Sequence, residues 1–258
     1  MSSAMPPFAM SSVDRGSIGD MLSDFFRTLE TRDALGPTER DALVGAVSDV
    51  RVHPEGDTLI RAGQHAEHST LLLDGMVARA SYMAGGKRQF VAIHVPGDFV
   101  DLHSLLLRRL DHDVVALSDV RVALFPHAAL RRISEEHAHL TRLLWLLTVI
   151  DAAIHREWTA RLGHSAAVRM AKFLCELHAR LDLIGGATPQ GFPLPLTQAV
   201  MADIIGLTPV HMNRTLRNLR ESGLAVVRDG LASIPDLAAL RRFADFNPAY
   251  LYREPEPR

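Results

Sequence analysis

LTQAVMADIIGLTPVHMNRTLRNLRESG, residues 196–223, contains the signals for two short helices on either side of a glycine. Thr197 is placed to cap a first helix whose apolar positions are Val200, Met201, Ile204 and Ile205. Gly206 stands where that helix must stop and the chain must turn sharply. Thr208 is a second cap, and Pro209 falls at the first helical position, where a missing N–H costs nothing. The second helix puts Met212, Leu216 and Leu219 on its inner face and leaves Val210, His211, Asn213, Arg214 and Arg217 outside. This is a helix–turn–helix at the spacing that projects a second helix into a DNA major groove. Leu224–Val227, Arg228-Asp229-Gly230 and Leu231–Ile234 follow as strand, turn and strand, a winged arrangement whose Arg228 is placed to reach a phosphate. The bland alternative is an amphipathic helical hairpin with solvated arginines. The order of cap, turn and wing weighs against it.

Charge supports the same reading. Residues 208–228 hold Arg214, Arg217, Arg220 and Arg228 against Glu221 alone, a local +4 − 1 = +3. The wider segment 164–258 has 11 basic and 9 acidic residues, so the positive charge is concentrated in this one element. The whole chain carries 28 basic and 30 acidic residues, a net −2, and offers no long-range field for a polyanion. Its 258 residues suggest about two domains at roughly 150 residues each. With 47% apolar and 22% charged residues, a mostly disordered chain is excluded. A single cysteine, Cys175, excludes intrachain disulfides and a cluster held by cysteines of one chain, and fits a reducing compartment. The most hydrophobic stretch, Leu143–Ile150, ends at Asp151, far short of the ~18 residues needed to span a bilayer. MSSAMPPFAMSS at the start lacks a signal-peptide pattern. The expectation is a cytoplasmic protein with no membrane partner.

Moving outward, residues 1–17 read as a flexible tail, Ser17–Thr31 as an amphipathic helix, and Pro37–Val47 as a second one. Between about Val50 and Phe125, short apolar or alternating runs punctuated by glycines read as an antiparallel sandwich or barrel. Its candidate strands are Val50–His53, Thr58–Ile60, Ser69–Asp74, Met76–Met83, Arg88–Val95, Val114–Ala116 and Arg121–Pro126, with Gly85-Gly86 as a hairpin turn. Ser134, ahead of Glu135-Glu136, reads as the cap of a long helix ending near Gly163. On it Leu140, Leu143, Leu147, Ile150 and Ile154 are spaced 3, 4, 3, 4, the seam of a coiled coil that needs a partner. Trp145 and Trp158 read as packing or pairing residues. Ser165 caps a further helix, Ala166–Leu181, in which Cys175 reads as a buried, inert thiol.

These pieces together resemble the Crp/Fnr family of bacterial transcription regulators over about residues 50–246. In the first half the resemblance rests on Gly56, Leu59-Ile60, Gly63, LLLDG with Val77, and above all Pro96-Gly97-Asp98-Phe99. In the second half it rests on the 196–234 block. It implies an α+β chain: a double-stranded, jelly-roll-like β-roll, a long dimerisation helix and a C-terminal winged helix–turn–helix. The boundaries are then a tail at 1–17, a β-roll sensor with flanking helices at 18–133, and a dimerisation helix at 134–163. A DNA-binding domain at 164–246 and a tail at 247–258 complete the chain. The implied partners are a second copy of the chain through Leu140, Leu143, Leu147, Ile150, Ile154 and Trp158, a palindromic DNA operator, and RNA polymerase if the protein activates.

The resemblance places base reading on Val210, His211, Asn213 and Arg214, and phosphate contacts on Thr197, Gln198, Thr208, Arg217 and Arg228. Val210 stands where members often carry a cytosine-reading glutamate, and Arg214 matches a nearly standard arginine that would take a guanine. On the sensor side the pocket candidates are Gly97, Asp98, Phe99, Leu102, His103 and His112. Members that bind cyclic AMP carry a glutamate where Leu102 stands and an Arg-Ser pair in the region of His112-Asp113-Val114. That argues against cyclic AMP in the usual pose. The extension before the β-roll has no cysteine cluster, which argues against an iron–sulfur cluster. His65-x-x-His68 aside, the strands lack the His and carboxylate grouping of a metal site, so no cofactor is expected. The alternatives are a haem- or metal-dependent sensor, a β-roll sensor that acts through protein partners, and a cupin-like metalloenzyme, for which no catalytic group is in sight.

Overall fold

The structure is a computed structural model describing residues 15–83, 85, 86 and 88–256. Helices α1 (Arg15–Met21) and α2 (Ser23–Glu30) form one amphipathic run that buries Ile18, Leu22, Phe25, Phe26 and Leu29. The expected tail is therefore shorter at its far end, since residues 15–17 already belong to α1; residues 1–14 lie outside the described residues. Helix α3 (Pro37–Ala46) opens with Pro37 at its first position, and the Glu39 carboxylate accepts from the Gly36 N–H at 2.8 Å.

The glycine-punctuated stretch forms β1 (Asp49–His53), β2 (Thr58–Ile60), β3 (His68–Asp74), β4 (Val77–Tyr82) and β5 (Arg88–His94). A short α4 (Ser104–Leu107), β6 (Asp113–Ala116) and β7 (Val120–Pro126) complete it. Two antiparallel sheets result, ordered β1-β7-β3 and β2-β6-β4-β5. Leu72, Val77, Val100, Val114, Val122 and Leu124 fill the space between them. The aliphatic, β-branched alternation of these strands is what a half-buried pleated surface selects.

Beyond β7 the sequence reading needs correction. Pro126 leads directly into α5 (His127–Glu136), which buries Leu130 and Ile133. Glu135 and Glu136 close that helix instead of opening the next, and the Ser134 hydroxyl donates to the Leu130 carbonyl at 2.9 Å within it. The chain breaks at His137 (φ −130°, ψ 83°), and the long helix α6 runs Ala138–Ala160. A 3-10 turn (Arg161–Gly163) leads to α7 (Ala166–Leu183), where the Ser165 hydroxyl accepts from the Val168 N–H as expected. Then come β8 (Gly191–Pro193), α8 (Gln198–Ile205), α9 (Pro209–Glu221), β9 (Val226–Arg228), β10 (Leu231–Ser233) and α10 (Leu237–Ala244). The wing has three strands, β8-β10-β9, one more than the sequence suggested.

The expected tail at 247–258 is packed against the chain over its described residues, which end at Glu256. A 3-10 turn at Pro248–Leu251 seats Leu251 at 1% exposure. The Tyr250 hydroxyl donates to Glu176, Arg253 donates to Asp182 at 2.7 Å, and the Glu256 N–H reaches the Arg32 carbonyl at 3.0 Å.

One apolar cluster joins the two halves of the chain. Met76, Phe90, Ile93 and Val95 of the β-roll side pack in the same core as Phe173, Leu174, Phe192, Met201 and Met212. Arg88 on β5 also binds the Asp203 carboxylate of α8 at 3.0 Å, and the Gln89 amide donates to the Asp203 carbonyl at 2.5 Å. Among the described residues, no helix is long and apolar enough to cross a membrane.

Candidate nucleic-acid interface

The turn between α8 and α9 is set by local chemistry. The Thr197 hydroxyl accepts from the Val200 N–H at 3.2 Å and starts α8. Gly206 ends it at φ +73°, a left-handed conformation that costs a side-chain-bearing residue about 1 kcal/mol or more, and the Leu207 N–H folds back to the Ala202 carbonyl at 2.9 Å. The Thr208 hydroxyl then accepts from the His211 N–H at 3.2 Å, with Pro209 in the first turn of α9. Inside, α9 buries Met212, Thr215 and Leu219, while Leu216 is only half-buried. Sequence reading passed over Thr215 because it is polar. Its hydroxyl donates to the His211 carbonyl at 2.9 Å, so burial leaves nothing unpaired.

The outer face of α9 brings most of the expected contact residues together. Val210 is 81% exposed, and Asn213, Arg214 and Arg217 are exposed, with His211 half-buried beside them. Asn213 donates its amide to Gln198 of α8 at 3.2 Å and accepts from Arg217 at 3.4 Å. The Asn213 amide is thereby oriented: its NH₂ faces α8 and its carbonyl faces Arg217. Arg214 has no hydrogen-bond or ion-pair partner among the described residues, so its guanidinium fork is available. Thr197 and Thr208 are exposed at the two helix N-termini, where backbone N–H groups favour a phosphate. Arg228 stands at the wing with its side chain 80% exposed, 3.9 Å from Asp229.

Residues 168–243 match the model of the Crp-like helix-turn-helix domain, and residues 50–137 match that of the cyclic nucleotide-binding domain. A probable transcriptional activator of Rhizobium leguminosarum bv. viciae is 30% identical over 72% of this chain and 78% of its own. The transcriptional activator protein FnrL of Cereibacter sphaeroides is 27% identical over 72% of this chain and 76% of its own. Among solved structures, FixK2 from Bradyrhizobium japonicum superposes with a TM-score of 0.69 at 23% identity, over 76% of this chain and 97% of that one. The chain belongs to the Crp/Fnr family of transcription regulators. Its fold is the family's β-roll, long helix and DNA-binding winged helix–turn–helix.

In this Crp/Fnr regulator the six sensor-pocket candidates do not converge on one pocket. Gly97 (φ +89°) lies so close beneath α2 that a Cβ there would stand 2.9 Å from the Thr28 hydroxyl. Asp98 accepts from the Val95 N–H at 2.9 Å and from Arg180 of α7 at 2.5 Å. Burial alone would raise its carboxyl, but the Arg180 guanidinium and the neighbouring His94 hold it well below the usual range. Phe99 is wedged edge-on between Phe25 and Phe125, with ring centroids 5.3 and 5.0 Å away. Gly97, Asp98 and Phe99 line a cavity of about 60 Å³ together with Asp151 and Arg180. Leu102 is buried in the core instead, and His103 faces His112 with ring centroids 5.6 Å apart. Burial lowers both imidazoles, His103 to about 4.

Sequence reading missed the buried charges altogether. Arg79, 4% exposed, donates twice to the Val100 carbonyl (2.9 and 2.7 Å) and once to Asp151 of α6 at 2.6 Å. Glu176 on α7 accepts from Trp158, Arg161 and the Tyr250 hydroxyl, each at 3.0 Å, and from Arg180 at 3.4 Å. The local signal was the i, i+4 run Lys172, Glu176 and Arg180 on one face of a largely apolar helix.

The expected pairing seam is largely taken up within the chain. Leu140 and Leu143 are fully buried in the core formed with α2, β3 and β7, and Leu147 packs against it half-buried. Ile150 and Ile154 are buried beside Ala179 and Leu251, and Trp158 is bound to Glu176. The large apolar side chains that α6 turns outward are Trp145 (69% exposed) and Val149 (41%). The reason is helical phase: the 3, 4, 3, 4 row is the one facing the chain's own β-roll and α7, and Trp145 and Val149 lie on a neighbouring row. Among the described residues, no group of three His, Cys, Asp or Glu side chains is disposed to hold a metal.

Proposed function

We propose that the protein is a homodimeric, sequence-specific regulator that reads a palindromic operator through α9. The observation that carries this is Arg214, an exposed guanidinium without a partner among the described residues, next to the oriented Asn213 amide. A free guanidinium fork is suited to guanine O6 and N7. Val210, at the start of the helix, offers an apolar contact for a thymine methyl where a glutamate would select cytosine. His211 and Asn213 complete the base-facing set, with Thr197, Gln198, Thr208, Arg217 and Arg228 around it for phosphates. The two chains pair along α6, where exposed Trp145 and Val149 call for cover, and set two recognition helices about 34 Å apart. Two relatives bear activator names. Activation, with RNA polymerase as partner, is the corresponding reading here.

The sensor half does not take cyclic AMP in the usual pose on this reading. Arg79 already spans from β4 to α6 through Val100 and Asp151, and Leu102 and His112-Asp113-Val114 supply neither the glutamate nor the Arg-Ser pair that such binding uses.

Selection from randomised duplex DNA tests the proposal. The wild type is expected to return a palindrome with a guanine in each half. Arg214→Ala should cost ~1–3 kcal/mol and relax that one position. Arg217→Ala should weaken all sequences alike and lower the salt slope by about 1. An equal loss on every sequence for Arg214→Ala would remove its base-reading role.

A further inference from the structure

The row Leu147, Ile150, Ile154, Trp158 continues a coiled-coil repeat along the lower half of α6, yet no second chain is needed to bury it. Leu251 at 1% exposure closes over Ile150 and Ile154, with Ala179 of α7 completing the cluster and Phe246 and Tyr250 packed against it. The cover is anchored at several points. The Tyr250 hydroxyl donates to Glu176 at 3.0 Å, Arg32 of the chain's first half donates to the Leu251 carbonyl at 3.1 Å, and Arg253 donates to Asp182 at 2.7 Å. The rings of Phe246 and Tyr250 meet edge to face at 6.1 Å. The whole cover lies beyond residue 243, where the match to the family's helix-turn-helix domain ends.

We propose that the C-terminal segment 246–251 is an internal cover for α6 that competes with a second copy of this chain for Ile150 and Ile154. The proposal rests on the dimeric reading above. One apolar row cannot pack on Leu251 and on a partner helix at once, so pairing that engages Ile150 and Ile154, beyond contact through the outward Trp145 and Val149, requires the segment to leave. The exposed Trp145 and Val149, five residues and one residue before Ile150 on a neighbouring row of α6, give an incoming helix its first contact. Extension of the pairing then displaces Leu251 and Tyr250. A cover that is closed most of the time reduces apparent pairing affinity by the fraction of time it is open. Loosening the cover therefore strengthens pairing, although it removes contacts from the single chain.

Sedimentation velocity across a concentration series, on the full-length wild type and on Tyr250→Ala/Leu251→Ala, tests this. The double variant is expected to pair about tenfold more tightly or better. Unchanged or weaker pairing would overturn the proposal, because a purely structural segment only loses packing when trimmed. Should the double variant unfold, Tyr250→Phe and Arg253→Ala decide the matter. Each removes one tether and keeps the apolar cover, and each is expected to shift pairing in the same direction by a smaller factor. A wild type that pairs on selected DNA while no variant pairs more tightly sinks the cover alone. Chains that neither pair nor bind any selected DNA sink the dimeric reading with it.

Discussion

His94, 3% exposed, sits with its Nδ1 3.7 Å from the Asp98 carboxylate and without a hydrogen-bond partner at Nε2 among the described residues. Burial and the Arg79 guanidinium outweigh the pull of Asp98 and Asp151, and its pKa falls to about 4. An unfolded imidazole titrates near 6.5. The unfolded chain therefore binds a proton that the folded chain refuses between those values. The contribution of His94 is complete above about pH 6.5 and lost as pH falls toward 4. Asp101 works in the opposite direction, since burial raises it to about 7. The comparison is best made against His94→Gln: in urea denaturation, the wild type should lose stability relative to that variant between pH 7 and pH 4.5. A difference that stays flat across that range would mean that the imidazole is not buried and neutral. At this scale, exposed groups were legible in the sequence and buried ones were not. Arg214 and Arg217 follow from helical spacing alone. Nothing local says that Arg79 will meet an aspartate 72 residues away, or Asp98 an arginine 82 residues away.

Elements were legible where a cap or a turn residue named their ends. All seven β-roll strands fall within two residues of the sequence reading, because their apolar runs stand out and a glycine follows each of β1 to β5. The start of the long helix did not, because Ser134 and two glutamates resemble a helix N-terminus although they close α5. Helices α4, α5 and α10 lacked a distinguishing signal in short, mixed stretches. The caps of α8 and α9 yield the clearest prediction here. Thr208→Ala removes the acceptor for the His211 N–H, and should cost ~1 kcal/mol in thermal or denaturant unfolding. It should also weaken specific DNA binding, since the first turn of α9 carries Val210 and His211. A variant that melts like wild type would show that Thr208 is not holding that turn.

For the molecule as a whole, Arg180 is the joint. It reaches Asp98 beneath the first half of the chain and Glu176 on its own helix, with its side chain 8% exposed. Arg180→Met would leave the Asp98 carboxylate without its counter-ion, while Glu176 keeps Arg161 at 3.0 Å, at a cost of ~3–5 kcal/mol in denaturant unfolding. Asp98→Asn in the same chain should recover part of that loss, because it removes the stranded charge. A loss below 1 kcal/mol would mean water screens the pair. The candidate site was legible on its DNA side, where local chemistry decides the shape. Its sensor side depends on which chain segments come to lie against which, and that is set by long-range packing.

Phe90 and Ile93 on one side and Phe173 and Met201 on the other form a single apolar wall with no seam between sensor and reader. Swapping the reader for that of a distant cousin would graft a foreign surface onto half of this wall. Such chimaeras need the wall rebuilt from both sides, and new operator specificities are more readily sought by altering the outward residues of α9 within the intact chain.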